Sequence, residues 1–144
     1  MAKKTSGLKV KQVMTTVPIT CTLDMTLDKV VELITLAEIN AVLVVDKKGA
    51  AKGIISLMDL LKEYDTNLKS KKAQDIMHPR PDMKEKLYVI SGGKDIADAA
   101  KEMYENRIHR LVVLDPKKKT HAAGVVSASD IVHAMMRSEE FFKE

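Results

Sequence analysis

The stretch Asn106 to Val132 reads NRIHRLVVLDPKKKTHAAGVVSASDIV, and the rest of the chain is read from it. Arg110 to Asp115 is an apolar run closed by Asp115-Pro116, the pattern of a buried strand that ends in a turn. Ala122 to Val126 is a second apolar run, reached through the lysine-rich turn Lys117 to Lys119. Ser127 then meets Asp130 three residues on, where an apolar-periodic stretch begins. A hydroxyl at the N-cap and a carboxylate at N3 come close to a capping box. The stretch therefore predicts strand, turn, strand, helix. Such a junction presents backbone N–H groups, a hydroxyl and a carboxylate together. The N–H groups suit phosphate, and a carboxylate accepts hydrogen bonds from ribose hydroxyls.

The same pattern occurs earlier in the chain. Ala41 to Val45 is a strand candidate closed by Asp46, Lys47-Lys48-Gly49 is a turn, and Gly53-Ile54-Ile55 is a further strand. Ser56 opens a helix through Leu57, Leu60 and Leu61, with Asp59 placed as Asp130 is. The echo extends further back. Gln74-Asp75-Ile76-Met77 repeats Lys11-Gln12-Val13-Met14, and Leu87 to Ile90 repeats the short extended piece at Ile19-Thr20-Cys21. Ile96, Ala99, Ala100 and Met103 repeat the helical spacing of Leu27, Val30, Val31 and Ile34, before which Thr26 is a candidate N-cap. Leu8 to Met14 predicts one helical turn or two. An ordered match of this kind is an internal duplication. The division it suggests is 9–63 for the first repeat, 64–71 for a polar linker and 72–137 for the second. Each half is too small to bury its own sheet, so the two are expected to pack as one two-lobed module.

Composition narrows the class. A chain of 144 residues with 45% hydrophobic residues belongs with globular proteins. Aromatics are only 3% and Trp is absent, so the core is aliphatic and methionine-based. The lone cysteine, Cys21, has no internal disulfide partner and reads as a small buried hydrophobe. No signal-peptide core or membrane-length apolar run is present, which makes a soluble cytoplasmic protein the expectation. The net charge is +4. The lysine clusters fall in turns and the linker, and aromatic platforms are scarce, so specific nucleic-acid binding is not expected.

The element order helix–strand–helix–strand–strand–helix, given twice, resembles the cystathionine-beta-synthase (CBS) domain pair, or Bateman module. Its sharpest carriers are Gly53-Ile54-Ile55-Ser56-Leu57-Met58-Asp59-Leu60 and Gly124-Val125-Val126-Ser127-Ala128-Ser129-Asp130-Ile131. The segment Asn106 to Leu111 is similar to a stretch in the gamma subunit of AMP-activated protein kinase. Leu43 and Val112 stand where the family often has proline in its middle strand, and Asn40-Ala41 stands where the second repeat has His109-Arg110. The resemblance implies an α/β fold of tandem CBS repeats, each a small mixed sheet with packed helices, related by pseudo two-fold symmetry. It implies regulatory binding of an adenosine-containing ligand in clefts between the repeats. AMP, ADP or ATP is favoured, with S-adenosylmethionine behind them, and no cofactor is required.

Under that resemblance Asp59 and Asp130 hold ribose hydroxyls, Ser56 and Ser127 lie near ribose or phosphate, and Ser129 belongs to the same ligand-binding set. Ile19, Thr20, Tyr88 and Val89 line the base, and His109 and Arg110 reach phosphate. Plainer roles stand beside these. The Ser/Asp pairs could be caps alone, Arg110 a surface ion-pair partner, His109 a surface histidine, and Tyr88 an ordinary strand residue. The four histidines, His78, His109, His121 and His133, lack zinc-ligand spacing, so no metal site is expected. Ser127, Asp130 and His133 are badly spaced on one helix for a nucleophilic triad, and there is no phosphate-binding glycine loop, so no enzyme is expected. The partners implied are the small molecule, a second copy in a two-fold homodimer and an unidentified regulated protein. The apolar helix faces, with Phe141 and Phe142 adding to them, are the expected dimer surface. The alternative is a ligand-free interaction module.

Overall fold

Apolar runs alternate with helically periodic segments, and this order carries directly into the computed structural model, which describes residues 7–16 and 18–136. The elements are α1 (Val10–Val13), β1 (Thr15–Thr16), β2 (Thr20–Thr22), α2 (Leu27–Ala37), β3 (Ala41–Val45), β4 (Ala51–Ser56) and α3 (Leu57–Leu61). There follow α4 (Ala73–Ile76), β5 (Val89–Ser91), α5 (Ile96–Asn106), β6 (Arg110–Leu114), β7 (Ala122–Ser127) and α6 (Ala128–Met136). A 3-10 turn at Leu68–Ser70 lies between α3 and α4, and Leu68 packs onto the core there. Phe141 and Phe142 lie outside the described residues.

The chain forms two compact units. One holds residues 18–87; the other holds residues 7–16 together with 88–136. In the first, the sheet order is β2-β3-β4, with β2 parallel and β4 antiparallel to β3. In the second the order is β1-β7-β6-β5, with β5 parallel and β7 antiparallel to β6. Each central strand buries three consecutive residues, Val42-Leu43-Val44 and Leu111-Val112-Val113. Covering on both faces explains why these strands read as continuous apolar runs rather than alternating ones.

The longer helices present one stripe to their sheets. α2 buries Leu27, Val30 and Ile34, and α5 buries Ile96, Ala99 and Met103. Asp95 caps α5 through the Ala97 N–H at 2.9 Å. Thr26 stands at the N-cap of α2, but its side chain makes no capping bond. Both helices end on a left-handed residue, Glu38 and Arg107, each at φ 54°. The next N–H then closes on a carbonyl of the last turn, Ile39 on Ile34 at 3.2 Å and Ile108 on Met103 at 2.9 Å, the bonding of a Schellman cap.

The short helices tie each unit together. α1 is a single turn, and Val10 is fully buried in the unit that holds β5 to β7. The Val10 N–H donates to the Lys94 carbonyl at 2.8 Å, and the Ile96 N–H to the Leu8 carbonyl at 3.0 Å. α4 repeats this in the other unit, where the Ala73 N–H meets the Met25 carbonyl at 2.8 Å and the Leu27 N–H the Lys71 carbonyl at 3.0 Å. Each compact unit thus takes its short leading helix from across the repeat boundary. Cys21 is buried, and loss of water pushes its thiol up to about 11. α3 buries none of its side chains, and Leu57 and Leu61 are 50% and 63% exposed.

Candidate functional site

In the unit of residues 88–136, the rim where β5 and β6 begin and β7 ends collects seven candidate residues. Strand register sets Arg110 opposite Ser127. The Ala128 N–H donates to the His109 carbonyl at 2.8 Å, and the Val112 N–H to the Tyr88 carbonyl at 3.1 Å. These bonds hold Tyr88, Val89, His109 and Arg110 beside the β7–α6 junction. Ser127, Ser129 and Asp130 follow at that junction. The Ser127 N–H donates to Asp130 Oδ2 at 2.8 Å, and the Asp130 N–H to Ser127 Oγ at 3.1 Å. The spacing of serine and aspartate thus yields reciprocal capping, as the sequence pattern predicts. The Ser127 and Ser129 hydroxyls bond to each other at 2.9 Å. Asp130 Oδ1 receives no hydrogen bond among the described residues. His109, Ser129 and Tyr88 are exposed, whereas Val89, Arg110, Ser127 and Asp130 are half-buried. A carboxylate held through one oxygen, on the same rim as a guanidinium and an imidazole, has the chemistry to accept hydroxyl donors and to meet negative charge.

In the unit of residues 18–87 the corresponding rim holds Ile19, Thr20, Ser56 and Asp59. Thr20 pairs with Leu43, and the Leu43 N–H donates to the Ile19 carbonyl at 3.2 Å. Ala41 lies opposite Ser56, and the Leu57 N–H donates to the Asn40 carbonyl at 3.1 Å. The backbone frame therefore repeats that of the other unit bond for bond, while Asn40 and Ala41 leave this rim without its basic pair. Ile19 and Tyr88, at matching positions, are equally open at 38%.

The carboxylates differ. Asp59 Oδ2 accepts both the Ser56 N–H, at 2.8 Å, and the Ser56 hydroxyl, at 3.0 Å. Asp59 Oδ1 lies 3.0 Å from His78 Nε2. His78 was absent from the residues singled out by sequence as ligand-binding. A signal for it does exist. The echo of Met14 by Met77, carried one residue on, aligns Thr15 with His78 (78 − 15 = 63, as 77 − 14 = 63). The backbone agrees, since Thr15 pairs with Val125 and His78 bridges Ile54, positions that match between repeats.

Comparison with known proteins follows the same lines. The sequence pattern of the CBS domain matches twice, at residues 10–66 and 73–137. No curated protein sequence matches the chain. Solved structures do. The CBS domain of a bacterial CNNM/CorC family Mg2+ transporter in complex with ATP is 20% identical, with a TM-score of 0.78 over 92% of this chain and 90% of that one. CBSX2 in complex with AMP is 23% identical, with a TM-score of 0.74 over 91% of this chain and 98% of that one. The CBS domain pair of protein MJ0100, in complex with 5′-methylthioadenosine and S-adenosyl-L-methionine, is 23% identical, with a TM-score of 0.73 over 87% of this chain and 93% of that one. With the family pattern found in both repeats and the repeated fold matching these structures, the chain belongs to the CBS domain family as a tandem pair.

Proposed function

We propose that this CBS pair is a regulatory module that binds an adenine nucleotide of the AMP, ADP or ATP class and signals its presence to a partner protein. The observation that carries the reading is the Asp130 carboxylate. It is fixed through Oδ2 and open at Oδ1, on the same rim as Arg110 and His109. Asp130 accepts the ribose hydroxyls, Ser127 and Ser129 lie beside them, Tyr88 and Val89 border the base, and Arg110 and His109 face the phosphate. Asp59, with Ser56, Ile19 and Thr20, forms the second site, poorer in positive charge. Solved relatives in complex with ATP, AMP and methylthioadenosine support this ligand class. The module performs no catalysis in this reading and works in the cytoplasm. Among the described residues no helix is long and apolar enough to cross a membrane.

Titration calorimetry with AMP, ADP, ATP and S-adenosylmethionine tests it. A hydrogen bond to a charged group is worth about 1.5–3 kcal/mol, so Asp130→Ala weakens the best ligand about ten- to a hundredfold. If Asp130→Ala lowers the melting temperature but leaves every affinity unchanged, the residue is a cap alone.

A second reading has its own observation. An apolar groove of about 540 Å³ lies between α2 and α3, lined by residues that include Ile34, Leu57, Leu61 and Leu68. It suits association of two copies into a homodimer, and in the alternative reading such association alone modulates the partner. Binding of none of the four ligands, with a stable dimer in light scattering, favours that alternative.

A further inference from the structure

We infer that His78 keeps the Asp59 carboxylate closed to ribose, so that the two sites of this chain are unequal and the Asp130 site fills first. The inference rests on the adenosine reading above and deepens it.

The duplicated fold supplies its own control. Gly53 matches Gly124 and Ser56 matches Ser127 in the corresponding registers of the two sheets, and Asp59 matches Asp130 in the first turn of the helix that follows each strand. The segment after the short helix runs beside β4 as its counterpart runs beside β7. The His78 N–H donates to the Ile54 carbonyl at 3.0 Å and the Ile54 N–H to the His78 carbonyl at 2.9 Å. At the position of Thr15 this segment carries an imidazole, which reaches Asp59 Oδ1 at 3.0 Å.

The donor count follows. Among the described residues Asp59 takes two donors on Oδ2, the Ser56 N–H and the Ser56 hydroxyl, and its Oδ1 faces His78 Nε2 at 3.0 Å. Among the described residues Asp130 takes one, the Ser127 N–H, and the Ser127 hydroxyl pairs with the Ser129 hydroxyl at 2.9 Å. An ionised carboxylate offers about four lone-pair positions. A ribose diol brings two donors, which Asp130 accommodates and Asp59 does not unless His78 leaves. The Asp59 side chain is only 11% exposed, so the pair is shielded from water on the carboxylate side, whereas the His78 side chain is 49% exposed on the other. His78 is thus a specificity-determining residue: it sets the order of filling without belonging to the better site.

The test isolates the second site. Adenosine, which has the ribose diol and no phosphate, is titrated into the wild type, Asp130→Ala, and Asp130→Ala combined with His78→Thr, the residue that the other repeat uses. His78→Ala serves as a second replacement. Both keep the backbone bonds to Ile54, and melting curves check that the variants stay folded. The expected result is adenosine affinity about tenfold or more higher in the double variants than in Asp130→Ala, with no gain for adenosine lacking both ribose hydroxyls. Unchanged or weaker adenosine binding in both double variants overturns the role of His78 while leaving the adenosine reading intact. An equal gain for the dideoxy analogue overturns it too, because the gain then lies away from the diol. Absence of any adenosine-ligand binding in the wild type overturns the adenosine reading, and this inference falls with it.

Discussion

Gly124 lies directly against Met14: a β-carbon at Gly124 would stand 2.7 Å from the Met14 sulfur and 2.5 Å from the neighbouring Thr15 carbonyl oxygen. A thioether can rotate away, but a carbonyl held in the β1–β7 ladder cannot. Gly124→Ala is therefore expected to destabilise the protein by about 1–3 kcal/mol, the usual range for overpacking. Gly53→Ala should cost less, since its nearest neighbour is the flexible Met77 side chain at 2.9 Å and the backbone oxygen of His78 is at 3.1 Å. Urea denaturation of the two variants gives the order, and the reverse order would show that the β1 edge yields.

Glu38 ends α2 at φ 54°. A side chain in that region costs about 1–2 kcal/mol, and a negative charge at a helix C-terminus opposes the macrodipole. Glycine removes both penalties and loses more chain entropy on folding. Glu38→Gly is expected to stabilise by about 0.5–1 kcal/mol, read as a melting temperature higher by a few degrees. A fall would mean that the carboxylate has a partner worth more than the strain.

Asp95 gathers two N–H donors, Ala97 at 2.9 Å and Gly7 at 2.8 Å. The Ala97 bond first and the Gly7 bond second hold its carboxyl below the ordinary 3.8. A carboxyl depressed in the folded state stabilises fully above its unfolded value and loses that contribution as pH falls through the folded value. Asp95→Ala should cost about 1 kcal/mol near neutrality, as lost N-caps do. The gap between variant and wild type should shrink below about pH 4, which melting curves across an acid series would display. A gap independent of pH would assign the loss to packing instead.

Arg110 distinguishes phosphate from ribose recognition. Arg110→Ala should weaken AMP, ADP or ATP by about tenfold or more while leaving adenosine nearly unchanged, because a guanidinium fork matches phosphate oxygens. Calorimetry with AMP and adenosine side by side decides it. Equal weakening of the two places Arg110 in the frame of the rim and not at the phosphate.

Leu61 lines the apolar groove and is 63% exposed. If this face joins two copies, Leu61→Lys should shift light scattering toward monomer at micromolar concentration with little change in melting temperature, since the side chain contributes little to its own core. An unchanged mass would move the contact elsewhere.

Legibility in the sequence depended on range. The Ser127–Asp130 and Ser56–Asp59 pairs were readable because capping is a contact three residues long. β3, β4, β6 and β7 were readable because their apolar runs are bounded by aspartate, lysine and glycine. The placement of α1 was not. Four residues carry no helical period, and what decides their position is Val10 sealing the core under α5 and Thr15 pairing with Val125, contacts that span most of the chain. His78 was legible only through the repeat, by the alignment of Met77 with Met14, and not from its own neighbours. Nothing beside it in sequence distinguishes a histidine that meets an aspartate nineteen residues earlier (78 − 59 = 19) from one on a loop.

The pairing of Thr15 with Val125 also has a meaning in time. During synthesis, residues 7–16 emerge well before the strand they complete. The unit of 18–87 has all of its parts as soon as residue 87 is free, while the other must wait for β7 before its first strand has a ladder to join. Pairings this distant close slowly, and edges left open meanwhile are exposed to other chains. The unit of 18–87 can therefore close before the unit that joins 7–16 to 88–136. An expression host that elongates fast and crowds its chains should test residues 7–16 harder than the unit of 18–87.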